Sequence, residues 1–228
     1  MRSARTARVA FVAVSILACV GTLSGVAPAA AAARDTLTTT TVALPDATVV
    51  DFQTTIDIQV DVDSQGGSTP TEGTTTLYAM EAGDRTWQAV TTHDSASSDF
   101  LAIRPWMTTS YKVVYNGHPA AGTEDGYATS ESEPFTVQVR RAITYPRGGF
   151  VVEGRVTPRY GKRKIVIKAS REQSSGYVRY RAITTDRRGR YAVTLPRRKG
   201  TWYWSFRVRG DARYLPTSFQ WKTWVSVS

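Results

Sequence analysis

Cysteine is almost absent from this 228-residue chain, and its one thiol, Cys19, falls within the first twenty residues. The rest of the chain can therefore form no disulfide, and its folded state must rest on packing. Histidine is nearly as scarce, with His93 and His118 the only two, both in polar, loop-like surroundings. Nucleophilic and neutral-pH acid–base chemistry thus has few residues to draw on. No G-x-S-x-G, H-E-x-x-H, glycine-rich phosphate loop or EF-hand pattern occurs, so the expectation is no catalytic residues, no metal, no cofactor and no small-molecule substrate. No window carries a helical period. Asn116 is the single asparagine and arginine far outnumbers lysine, a bias of the kind a GC-rich bacterial genome imposes.

Long hydrophobic runs are also missing, apart from one short stretch near the start. Arg2, Arg5 and Arg8 precede an apolar segment from Val9 to Val20, and Ala27 to Ala33 is rich in small residues. This is the layout of a secretory signal peptide over residues 1–33, cleaved before Arg34. An uncleaved anchor is the rival, but a membrane span needs roughly 20 predominantly apolar residues. Ile16-Leu17-Ala18-Cys19 is similar to a bacterial lipobox, which would make Cys19 a lipid acceptor. Leu17 fits that pattern poorly, and the alanine-rich site downstream competes with it. The expectation is a secreted or envelope-associated protein with no transmembrane span in its mature form.

Charge divides what remains. Residues 34–139 hold four Lys and Arg against fifteen Asp and Glu, a formal −11, whereas residues 140–228 hold twenty-two against four, a formal +18. A switch this sharp near Arg140-Arg141 marks a domain boundary, giving an acidic domain 34–139 and a basic domain 140–228.

Both halves read as strands. Ile56, Ile58, Val60 and Val62 alternate strictly with Asp57, Gln59, Asp61 and Asp63, the period of a half-buried strand. Further strands are expected at 74–80, 86–92, 100–103, 111–115 and 135–139, with 122–133 a longer polar loop. In the basic half they are expected at 150–156, 164–169, 177–184, 191–195, 201–208 and 221–227. Many short strands with regular turn signals point to an all-β protein of two tandem immunoglobulin-like β-sandwiches. The halves also echo one another: Ser110-Tyr111-Lys112-Val113-Val114-Tyr115-Asn116-Gly117 aligns loosely with the run from Thr201 to Gly210, which suggests a divergent tandem repeat.

Short motifs support this. Thr40-Thr41-Val42-Ala43-Leu44 and Gly73-Thr74-Thr75-Thr76-Leu77-Tyr78 resemble the opening strands of bacterial Ig-like repeats strung along surface proteins. Gly154-Arg155-Val156-Thr157-Pro158, Thr185-Asp186 with Gly189-Arg190-Tyr191, and Gly210-Asp211-Ala212-Arg213-Tyr214-Leu215-Pro216 are similar to motifs of Ig-like modules in actinobacterial secreted proteins. The resemblance implies a fold and an extracellular setting, not a chemistry.

The basic half supplies the candidate site. Parity puts Trp202, Trp204, Phe206 and Val208 inside, with Tyr203, Arg207 and Arg209 outside. It likewise puts Val178, Tyr180 and Ala182 inside against Arg179 and Arg181, and Ile165, Ile167 and Ala169 inside against Lys164 and Lys168. The loop Arg197-Arg198-Lys199 adds charge. Lys164, Lys168, Arg179, Arg181, Arg207, Arg209, Arg197, Arg198, Lys199 and Tyr203 are thus the expected binding residues. Arginine on a sheet with interleaved tyrosine can hold phosphate or carboxylate and stack on rings. That suits an anionic cell-wall polymer, an acidic glycan, a membrane surface or extracellular nucleic acid. The aspartates of 57–63 point outward from a flat strand, where they solvate the sheet and do not converge on a cation. Opposite halves of −11 and +18 also raise the expectation of acidic–basic docking or self-association.

Overall fold

Alternation in the sequence becomes alternation in space. Ile56–Ser64 is buried and exposed at every second residue without a slip, its aspartates outside. The computed structural model describes residues 35–122 and 124–226, all strands, turns and loops. The expected signal segment and Cys19 lie outside the described residues.

The strands of the acidic half are β1 (Thr36–Leu37), β2 (Thr39–Pro45), β3 (Val49–Asp51), β4 (Ile56–Ser64), β5 (Thr75–Glu81), β6 (Gln88–His93), β7 (Phe100–Ile103), β8 (Thr109–Tyr115), β9 (Gly126–Tyr127), β10 (Ser130–Glu131) and β11 (Phe135–Arg140). One sheet runs β2-β4-β7 and the other β3-β11-β8-β5-β6, with β10 also on β8. Between them lie Ile56, Ile58, Val62, Leu77, Phe100, Val113, Tyr115, Val137 and Val139.

In the basic half follow β12 (Ala142–Ile143), β13 (Val151–Thr157), β14 (Lys164–Ser170), β15 (Val178–Thr184), β16 (Arg190–Thr194), β17 (Gly200–Val208) and β18 (Thr217–Val225). Sheet β12-β13-β16 packs on β15-β14-β17-β18. Three antiparallel strands on four, with sequential strands crossing between sheets, is an immunoglobulin-like sandwich. Its core is aromatic. Trp204 and Phe206 are fully buried, Phe206 stacks on Phe219 at 4.6 Å, and Tyr180 meets Trp204 edge-on at 5.2 Å. Trp204 Nε1 donates to Thr223 Oγ1 at 2.9 Å, which satisfies the one polar atom that this ring carries inside.

Some expectations need correction. Segment 122–133 is not all loop: β9 pairs in parallel with β1, and β10 pairs with β8. The last described strand begins at Thr217, four residues before the expected start. Along β15 the simple parity fails. Val178 is 72% exposed, while Ile183 is buried. Arg181 faces Ile167 and Arg179 faces the next residue, Lys168, so Tyr180 is the extra residue of a bulge on β15 that leaves Ala182 outside and Ile183 inside, while Val178, opposite Ala169, is exposed at the free edge of the sheet. A bulge inserts a residue and reverses the phase beyond it.

The family-like motifs prove structural. Asp186 accepts backbone hydrogen bonds from Arg188 and Arg190 at 2.7 and 2.8 Å. Gly189 has φ +79°, and a Cβ there would lie 2.5 Å from the Val156 carbonyl, so only glycine closes this turn. The loop Asp211–Pro216 does more. Tyr214 belongs to the basic half in sequence, yet its ring lies in the acidic half's core, 3% exposed. Its hydroxyl donates to Trp106 O at 3.2 Å. Thr108 N donates to Arg213 O, and Leu215 N to Val139 O. The two sandwiches therefore share one core residue and a short run of backbone bonds.

Candidate functional site

Antiparallel partners share a face, so register alone builds the outer surface of β15-β14-β17-β18. Across it run Val166 opposite Arg207, then Arg179, Lys168, Ser205 and Gln220 abreast, then Ser170, Tyr203 and Lys222. Lys164 begins β14 at the end nearest the acidic half. Arg209, continuing the alternation of β17, lines a shallow hollow of about 280 Å³ with Lys164, Arg163 and Tyr160. Lys164, Lys168, Arg179, Arg207, Arg209 and Tyr203 thus lie on one side of the sheet. From Gly200 to Val208 β17 rises about 26 Å, so these cations form a stripe, not a cluster.

The remaining expected residues lie elsewhere. Arg181, opposite Ile167, leaves the free edge of β15 on the inner side. Arg197 stands over the Phe150 ring at 5.2 Å. Arg198 stacks on Trp202 at 4.4 Å and lies within 5.6 Å of Tyr180 and Trp204. Lys199 is exposed beside it, its carbonyl accepting from Trp202 Nε1 at 3.3 Å. The Arg197–Lys199 segment therefore caps the aromatic core at its far end.

Two cations escaped the sequence reading. Lys222 reaches the Tyr203 ring at 6.0 Å. It lies inside the strand expected at 221–227, and the alternation of Trp221 and Thr223 around it was enough to place it outside. Arg171 lies 4.6 Å from Trp202. With Arg179, Tyr180, Arg198 and Val178, Arg171 and Trp202 bound a groove of about 470 Å³. Arg171 sits in the β14–β15 loop, where no periodicity marks it. That loop also folds onto the outer face: Gln220 Nε2 and Tyr177 Oη both donate to Gln173 O, at 3.3 and 2.9 Å. Burial, with Tyr203 close by, pushes the Tyr177 phenol above its ordinary value.

Among the described residues, no group of three or more His, Cys, Asp or Glu could hold a metal ion, and no helix is long and apolar enough to cross a membrane. His93 stacks on Phe100 at 4.5 Å, and His118 bridges to Tyr127. A wide hollow of about 810 Å³ opens beside Tyr145, Glu153, Arg155, Asp186 and Tyr191. Several of its polar groups are bound to backbone: Asp186 as above, Arg155 Nε to Arg188 O, and Tyr191 Oη to Thr144 O.

No known family profile matches the chain, and neither does any curated protein. Among solved structures it is similar to the human OSCAR ligand-binding domain, at 14% identity over 78% of this chain and 95% of that one, TM-score 0.28. It is also similar to a two-domain fibronectin type III segment of chicken tenascin, at 13% identity over 75% and 94%, TM-score 0.37. A third is the chicken CNTN1 FN1–FN3 segment, at 9% identity over 84% and 67%, TM-score 0.29.

Proposed function

We propose that this chain is an exported, non-catalytic interaction module whose basic sandwich holds an anionic polymer of the cell envelope or its surroundings. One observation carries the reading. Strands β14, β15, β17 and β18 contain no Asp or Glu, while Lys164, Lys168, Arg179, Arg207 and Lys222 stand on one side of the sheet they form. Cations set along about 20 Å of strand suit a repeating anion better than a compact ligand. Neutralising several charges of a polymer releases its counterions, so such binding weakens steeply with salt.

A second reading draws on the junction. Arg140 and Asp51 pair at 3.6 Å on neighbouring strands of the acidic sandwich, both side chains exposed, and the other ion pairs among the described residues also stay within one half. The opposite charges of the two halves are thus left facing outward, free to bring copies of the chain together head to tail.

The experiment separates the two. The chain lacking residues 1–33 is titrated with heparin, duplex DNA and a poly(glycerol phosphate) across a salt series, with its mass followed by light scattering. The variant K168Q/R179Q/R207Q/K222Q should bind at least ten-fold more weakly, with a shallower salt dependence and an unchanged mass. Polymer binding equal to that of the parent chain would end the first reading. A mass that stays monomeric at low salt would end the second.

A further inference from the structure

The junction holds a second concentration of arginine, and its chemistry differs from that of the sheet. A pocket of about 280 Å³ is lined by Arg141, Arg159, Arg163, Asp211, Arg213 and Tyr214. Arg141 is its floor. Its side chain is 1% exposed, and the guanidinium lies between the Tyr214 ring at 4.2 Å and the Tyr160 ring at 5.2 Å. Nε donates to Pro158 O at 3.0 Å and Nη2 to Asp211 Oδ2 at 2.6 Å. Nη1 is buried too, and no acceptor among the described residues reaches it. A buried donor left in this state is costly, and a guanidinium has no neutral form to retreat to.

The charge count points the same way. Asp211 is the pocket's one carboxylate, and it serves both Arg141 and Arg163. Arg159 and Arg213 line the pocket without an ion pair among the described residues. Four guanidiniums thus face one carboxylate. Planar forks of N–H donors on residues lining one small cavity match an anion that accepts along several directions at once.

We propose that this pocket is a binding site for a single tetrahedral oxyanion, a phosphate or sulfate group, held by Arg141 Nη1 together with the guanidiniums of Arg159, Arg163 and Arg213. The site is distinct from the outer sheet face and does not depend on the polymer reading. It sits where the two sandwiches meet, since Arg213 O and Tyr214 Oη bond directly to Thr108 and Trp106 of the acidic half. An ion seated there offsets charge at the joint itself.

Isothermal titration of the full mature chain with inorganic phosphate, at ionic strength held constant with chloride, tests it. Saturable one-to-one binding is expected, weakened at least ten-fold in R159Q/R213Q. Both of these side chains are exposed, and the thermal midpoint in chloride serves as the folding control. The variant K168Q/K222Q should bind phosphate within two-fold of the parent. Competition between inorganic phosphate and a poly(glycerol phosphate) for the pocket would show that it takes a polymer-borne group, and saturable phosphate binding without competition that it takes the free ion. No saturable binding at millimolar phosphate, or equal binding by R159Q/R213Q, overturns the proposal. Loss of polymer binding in K168Q/K222Q with phosphate binding intact would leave both proposals standing on separate residues.

Discussion

The two sandwiches share an architecture and little of what fills or covers it. The acidic one packs mainly aliphatic side chains, with Ile58, Val62, Leu77 and Val113 at its centre, whereas the basic one stacks Trp204, Phe206, Phe219 and Trp221. Their outward positions carry opposite charges on the same alternation, aspartates on β4 and arginine, lysine and tyrosine on β14 and β17. The inward half of each strand suffices to specify the fold, and the outward half is left free for function. The difference also shows which sandwich leans on which: an aromatic ring crosses from the basic half into the acidic core, and among the described residues none crosses back.

The strongest way to break this comparison is to remove the centre of the aromatic core. Trp204→Ala should cost about 3–5 kcal/mol, and the hydroxyl of buried Thr223 loses its donor as well. Denaturant titration should show the midpoint of the basic half falling first. An unchanged midpoint would mean that the ring contributes no packing. Tyr214→Ala should cost less, about 2–4 kcal/mol, and its effect should appear in the other sandwich. Near-ultraviolet dichroism and hydrogen exchange should report loosening around Val139 and Tyr111. Loosening confined to residues 140–228 would show that the acidic core is complete without the ring.

The smallest expected effect is a pH dependence at the joint. Burial opposes ionisation of Asp211, but hydrogen bonds from Arg141, Arg163 and Arg213 N outweigh it, and its pKa falls from 3.8 to about 2. A carboxyl depressed in the folded state stabilises it above the unfolded value and loses that contribution as pH falls through the folded one. The stability advantage of the parent chain over Asp211→Asn should therefore be full above about pH 4 and shrink toward pH 2. A constant gap between their urea midpoints over that range would show that the carboxylate is not held this way.

Where side chains alternate on a central strand, the sequence was readable. Ile56 to Val62 follow their parity, and Trp204, Phe206 and Val208 lie inside as expected, because each strand is flanked on both sides; Ser205, expected outside, is covered as well. At the free edge of β15 the same reasoning failed: a bulge at Tyr180 shifts the phase there, and no local period records it. The candidate site was legible as a count of cations more than as a place. Arg197 and Arg198 turn to Phe150 and Trp202 because those rings are the nearest partners in space, while Lys222 joins the stripe through pairing with Tyr203. The Gly210–Pro216 motif was visible as a motif, but that its tyrosine serves the neighbouring core is a long-range contact outside any sequence window.

That tyrosine also sets an order of events. A chain made from its N-terminus presents β2 to β11 well before residue 214, so for about seventy residues of synthesis the acidic sandwich lacks its last core side chain. Domains fold as units in the order they emerge, but here the first cannot finish until the second has nearly been delivered. The leading sandwich stays open to rearrangement while the trailing one assembles, and both reach their final form together, when the β17–β18 loop arrives.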